Sequence, residues 1–148
     1  MTKYLLDTNI VSNATKPEPS EPLVSWMVAQ ESADLFIASL TLAEIWRGIL
    51  QKPAGAKRDA LELWFRGPSG PQALFAGRVL PFDERASLVW AQLMAEGFAS
   101  GTPRSGLDTI IAAIALSNDC TVVTGNVRHF SGVAVLNPMG TSSLMNPS

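Results

Sequence analysis

Five short apolar runs constrain this chain more than any other feature. Residues 3–6, 35–40, 79–82, 121–124 and 133–136 are apolar without clean alternation. A strand of that kind hides both of its faces, as strands do in a parallel sheet covered by helices on each side. Helical periodicities occupy the intervals, at 22–30, 42–51, 56–65, 84–98 and 107–118. Caps and breakers fence them. Ser20 and Pro22 open the first, Pro53 follows the second, and Gly67-Pro68-Ser69-Gly70-Pro71 follows the third. Asp83 precedes the fourth and Ser105-Gly106 the fifth, each a residue type that starts a helix or ends one. Strands alternating with helices predict an α/β fold, a three-layer α/β/α sandwich with a mostly parallel central sheet.

Composition narrows the class. At 148 residues, 47% hydrophobic and 16% charged, the chain can bury a core as one domain and is not bulk disorder. Residues 1–138 are read as that domain and 139–148, small and polar, as a loose tail. Cys120 is the only cysteine, which excludes an internal disulfide and any zinc-finger spacing and suits a reducing cytoplasm. The N-terminus lacks the pattern of a signal peptide, and apolar stretches such as 110–116 are too short to span a bilayer. A cytoplasmic location without membrane contact is expected. The net charge of −2 and pI of about 5.3 argue against coating nucleic acid by bulk electrostatics. They leave room for an enzyme that meets RNA at a metal, and they suit a basic partner.

Three acids stand where such a fold places chemistry. In YLLDTNIVS, residues 4–12, Asp7 ends the first apolar run, and ligands of a parallel sheet bind beyond the carboxyl ends of its strands. Glu44 lies in SLTLAEIWRGI, residues 39–49, expected in the first turn of the helix after the second strand. Asp108 lies in RSGLDTIIAAIA, residues 104–115, opening a helix whose face Ile110, Ile111, Ala113, Ile114 should lie on the sheet. Each also has a purely structural explanation. Asp7 can cap a short helical turn, Thr41-x-x-Glu44 matches a capping box, and Ser105-x-x-Asp108 is a weaker version of it. Gathered at one sheet edge, however, three carboxylates repel unless a cation sits among them. Hard oxygen ligands without His or Cys suit Mg²⁺ or Mn²⁺ rather than Zn²⁺, and such ions serve phosphoryl chemistry.

In order along the chain, LLDTNIVS, LTLAEIWRGI, LDTIIAAIA and VVTGNVRHF (122–130) resemble the four signature blocks of PIN domains. The likeness is strongest to the VapC/FitB-type toxins of type II toxin–antitoxin pairs, and LFAGRVLPFDERAS (74–87) and VAVLNP extend it. The resemblance implies a PIN-like fold and a Mg²⁺- or Mn²⁺-dependent endoribonuclease that hydrolyses RNA phosphodiesters with a metal-activated water, leaving 5′-phosphate and 3′-hydroxyl ends. It implies Asp7 and Asp108 as metal ligands and Glu44 as the third acid. The fourth acidic position falls on Asn126, whose amide can ligate a metal or orient water but brings no charge; the number of metals stays open. Thr124 keeps the hydroxyl of that block. The resemblance further implies a homodimer and a small antitoxin whose basic tail enters the acidic groove.

Other residues are supporting candidates. Arg47, three residues after Glu44, is either half of a solvated ion pair or a phosphate ligand. Thr8 and Asn9 shape the loop after the first strand, and Arg128 lies in the loop near the same edge. His129, the only histidine, lies in the same loop and is a conceivable catalytic base, but the resemblance makes a metal-bound water the nucleophile, so a surface or packing role is expected. Trp26, Trp46, Trp64 and Trp90 are expected in core or interface rather than as stacking platforms, and Cys120 as a packed small residue. Leu61, Trp64 and Phe65 fit a partner-binding surface or a core contact equally. Two rivals remain: a PIN-fold module that binds antitoxin or RNA without cleaving, kept open by Asn126, and an aspartyl-nucleophile phosphatase. The latter wants a D-x-D pattern where this chain has Asp7-Thr8-Asn9. A nucleotide-binding Rossmann domain lacks its glycine-rich turn after the first strand.

Overall fold

The computed structural model describes residues 2–140. Five strands, β1 (Lys3–Leu6), β2 (Leu35–Ala38), β3 (Val79–Leu80), β4 (Cys120–Val123) and β5 (Val135–Leu136), form one sheet in the order β3-β2-β1-β4-β5. All four pairings are parallel, with Leu5 opposite Phe36 on one side and Val122 on the other. The chain winds outward from β1 to β3 and then crosses back to lay β4 against β1. The direction of winding therefore reverses between β1 and β4, the place where open α/β sheets form a ligand crevice.

Helices α1 (Thr8–Ala14), α2 (Glu21–Val28), α3 (Ser39–Leu50), α4 (Ala56–Arg66), α5 (Pro71–Leu74), α6 (Glu84–Ala99) and α7 (Gly106–Ser117) cover the sheet. Two apolar clusters fill the layers. Leu5, Ala38 and Val122 pack with Ile111, Ile114 and Ala115 of α7, Ala86 of α6 and Phe130. On the opposite face Leu6, Ile37 and Val123 pack with Ile10 and Val11 of α1, Leu23 of α2 and Phe75. Neighbours in one strand thus serve opposite clusters, which is why these runs carry no polar alternation. Each fully buried Leu, Ile or Val contributes about 1.5–3 kcal/mol. Helix α7 is buried almost all round, Ile111 to Ala115 being at most 1% exposed. Of its first turn only Thr109 is buried, and Gly106 and Leu107 are exposed.

Element identities follow the sequence reading, and several boundaries move. Residues 39–40 belong to α3 rather than β2, because the helix begins directly where the strand ends. Residues 81–82 leave β3, and the last strand shortens to Val135–Leu136. Asp7 opens a seven-residue helix rather than a brief turn, while α5 and the 3-10 turn Val127–Phe130 carry no helical period in the sequence. The breaker run after α4 is a tight reversal: a Cβ on Gly70 would collide with the backbone carbonyls of Trp64 and Phe65. Ser20 and Asp83 cap α2 and α6 as expected.

Aromatic residues pack. Trp26 meets Tyr4 edge-on at 4.9 Å, Trp46 lies 4.9 Å from Phe65, and Trp90 donates to the Gly106 carbonyl at 3.1 Å. Phe65 is buried, while Leu61 and Trp64 are half-buried. Cys120 is buried under α7, and desolvation pushes its thiol pKa up. Of the expected tail, Met139 packs on the core and donates its N–H to the Asn137 side chain at 3.0 Å; residues 141–148 lie outside the described ones. Among the described residues no helix is long and apolar enough to cross a membrane.

Candidate active site

Asp7 is the centre of the edge. Its backbone N–H continues the ladder to the Val123 carbonyl at 2.9 Å, so the residue is still strand on one side, while its carbonyl and side chain start α1 on the other. The carboxylate is 6% exposed. Oδ1 accepts from the Thr8 backbone N–H and Oδ2 from the Thr124 hydroxyl, each at 2.8 Å. Thr124, just past β4, in turn accepts the Asn126 N–H at 2.9 Å. Burial is the largest influence on Asp7 and pushes its pKa up. The two hydrogen bonds oppose that, and the charges of Asp108 and Glu44 add to it. The carboxylate that caps α1 is therefore also the buried one at the sheet edge.

Glu44 is not in a capping box. Because α3 starts at Ser39, with Ala38 as an N-cap that makes no side-chain bond, Thr41 and Glu44 fall within the helix and Glu44 sits in its second turn. Glu44 instead accepts from the Thr8 hydroxyl at 2.5 Å, and Thr8 Oγ1 also lies 3.1 Å from the buried Thr41 hydroxyl. Thr8 thus ties α1 to α3 and fixes the third acid. Asn9 beside it has a buried Oδ1 without a hydrogen-bond partner among the described residues. Arg47 is exposed and forms no ion pair with Glu44.

Asp108 enters from α7. The Ser105 hydroxyl accepts its backbone N–H at 3.3 Å, the ordinary half of the expected cap, but the Asp108 carboxylate does not reach back. Its Oδ2 lies 3.0 Å from His129 Nδ1. His129 was expected in a surface or packing role; the turn Val127–Phe130 winds it back onto an acid of the site. The block VVTGNVRHF contained the signal, since a turn after Asn126 returns the third residue to the edge. Asn126 itself is exposed.

Asp108 and His129 border a cleft of about 490 Å³ that also exposes Arg104 and Arg128. Arg104, not singled out from the sequence, donates to the Ser131 carbonyl at 2.7 Å.

The edge fits a hard cation by its donor chemistry. Asp7 is desolvated and repelled by two further carboxylates, and among the described residues no Lys or Arg pairs with any of the three. No group of three or more His, Cys, Asp and Glu among the described residues forms a ready-made cage. Glu44 is held by Thr8 and Asp108 by His129.

Known proteins resemble this chain over most of its length. The sequence matches the PIN domain family over residues 4–136. It is 37% identical to plasmid stability protein StbB of Pseudomonas syringae pv. tomato over 90% of this chain and 96% of the relative. Toxin FitB of Neisseria gonorrhoeae and VapC ribonuclease Y4jK of Sinorhizobium fredii are 35% and 36% identical over the same shares. Among solved structures, FitAcB from Neisseria gonorrhoeae superposes with a TM-score of 0.83 at 34% identity, covering 91% of this chain and 97% of that one. FitAB bound to a DNA fragment gives 0.82 at 33%, covering 92% and 95%.

Proposed function

The chain belongs to the PIN domain family, and from that premise we propose that it is a metal-dependent endoribonuclease, the toxin of a type II toxin–antitoxin pair. The observation that carries the proposal is Asp7: a carboxylate 6% exposed, raised by burial and by Asp108 and Glu44, with no basic side chain of the described residues beside it. A cation resolves that arrangement. The ribonuclease and toxin names of relatives at 35–36% identity support the substrate class.

Asp7 and Asp108 would hold Mg²⁺ or Mn²⁺, with Glu44 and Asn126 completing the shell or positioning water. Bound there, the ion supplies Lewis acidity for in-line hydrolysis of the phosphodiester and neutralises charge that develops on phosphate. The chain supplies the fixed frame. Thr124 and the Thr8 N–H hold both oxygens of Asp7, Thr8 Oγ1 holds Glu44, and His129 orients Asp108. Arg47 and Arg128 are exposed cations near this edge that can meet RNA phosphates. We place the protein in the cytoplasm as a homodimer, bound by a small antitoxin whose basic tail competes for the acids. The acidic pI of about 5.3 suits such a partner.

Incubating antitoxin-free protein with total tRNA and structured RNAs in Mg²⁺, Mn²⁺ or EDTA tests this. Discrete cleavage that requires metal and vanishes in folded Asp7→Asn and Asp108→Asn variants is expected. Metal binding without cleavage would select the binding-only module, the reading that an uncharged, exposed Asn126 favours.

A further inference from the structure

We propose, resting on the ribonuclease reading, that the 490 Å³ cleft between the C-terminal end of α6 and the Val127–Phe130 turn is a subsite for an RNA backbone phosphate next to the scissile one, held by Arg104 and Arg128.

The cleft is built rather than left over. Thr102 N–H bonds the Gly97 carbonyl at 2.9 Å, and Ser100 and Thr102 hydroxyls meet at 2.8 Å, folding the α6–α7 loop flat on α6. Gly97 makes this possible, because a Cβ there would stand 2.9 Å from the Thr102 carbonyl oxygen and 3.2 Å from Arg104 Cγ. Arg104 then spans the cleft to the Ser131 carbonyl at 2.7 Å. That contact engages one guanidinium N–H, and an arginine has about five, so a planar fork of donors remains for a phosphate. Arg128, exposed on the facing wall, makes no hydrogen bond or ion pair among the described residues. Besides Asp108 the wall carries one acid, Glu96, which accepts from Gln92 at 3.2 Å.

Position decides the ligand. The cleft opens beside Asp108, so an anion in it lies directly along the strand from the cleavage centre. Its volume is that of a small-ligand site, and its cations are forked guanidiniums, which read phosphate geometry. Three of the other arginines are engaged elsewhere, and Arg47 and Arg85 do not line the cleft. Arg58 pairs with Glu62, Arg66 covers Trp46 and Arg78 holds the carbonyls of Ser32, Leu35 and Leu74.

The test reads binding apart from cleavage. In an Asp7→Asn background in EDTA, fluorescence anisotropy with a short fluorescein-labelled oligouridylate is compared with duplex DNA of equal length. Arg128→Ala is expected to weaken the RNA about tenfold and to flatten the salt slope by about 0.7. Arg104→Lys keeps the charge but loses the fork, and should weaken RNA severalfold with an unchanged melting temperature. Arg85→Ala, at the opposite end of α6 and outside the cleft, should change nothing. Unchanged RNA affinity in Arg128→Ala overturns the subsite, as does an equal loss in Arg85→Ala or a loss confined to duplex DNA. Cleavage by the wild type, scored in parallel, separates the two readings. A cleaving enzyme indifferent to Arg128 keeps the nuclease and loses the subsite; a non-cleaving one that needs Arg128 does the reverse.

Discussion

Asp7 and Asp108 reach the same edge of the sheet by opposite routes. Asp7 is the last residue of a strand ladder and is sealed under its neighbours, with each oxygen fixed by a donor and 6% of its surface exposed. Asp108 rides the first turn of a helix, keeps 30% of its side chain exposed, leans on a half-exposed histidine and faces an open cleft. The first is rigid and electrostatically unsatisfied; the second is wet and has an exchangeable partner. The sealed carboxylate is the one whose pKa burial raises, and the open one borders the cleft.

Several outcomes would break or sharpen that contrast. The largest is catalytic. Asp7→Asn and Asp108→Asn should each lower metal-dependent RNA cleavage by at least about a hundredfold. They should part company in the metal-free protein at neutral pH, read by thermal unfolding in EDTA. Asp7→Asn removes a desolvated charge and should melt above wild type, whereas Asp108→Asn should stay within about 0.5 kcal/mol of it.

Next comes the frame of each acid. Thr124→Val deprives buried Asp7 Oδ2 of its donor and should cost about 1–3 kcal/mol in urea unfolding. Ser105→Ala, which removes the cap of the helix carrying Asp108, should cost about 1 kcal/mol. A larger loss for Ser105 than for Thr124 would invert the comparison.

The pH dependence has a definite sign. Burial, with Asp108 and Glu44, holds the Asp7 pKa above the ordinary carboxylate value in the folded state. The folded protein therefore binds this proton more tightly than the unfolded one. Its contribution to stability is present below the unfolded pKa and is lost as pH rises through the folded pKa. Metal-free wild type should show this loss as pH rises above the ordinary carboxylate range, and Asp7→Asn should lack it.

Much of this was legible in sequence because the signals are local. Buried strands advertise themselves as unbroken apolar runs, and Asp7 and Thr124 could be placed at the edge because parallel strands end together. Glu44 was found for its position but given the wrong neighbour: a strand running straight into α3 moves the helix start to Ser39, and Thr41 then faces Thr8 instead of a free N–H. His129 could be placed near the edge from VVTGNVRHF, but its contact with Asp108 and the loop contact of Arg104 were not legible. One depends on a four-residue turn, and the other on a loop pressed onto Gly97, and neither leaves a periodic trace.

The smallest expected effect is at Arg47, exposed and without an ion-pair partner among the described residues. Arg47→Ala should change stability by no more than about 0.5 kcal/mol, checked by urea unfolding. The most direct measurement is Mn²⁺ binding followed by electron paramagnetic resonance in wild type, Asp7→Asn and Asp108→Asn. Expected is a site in wild type whose affinity falls about tenfold or more in both variants. Equal Mn²⁺ affinity in all three folded proteins would contradict a cation held between the sealed acid and the open one.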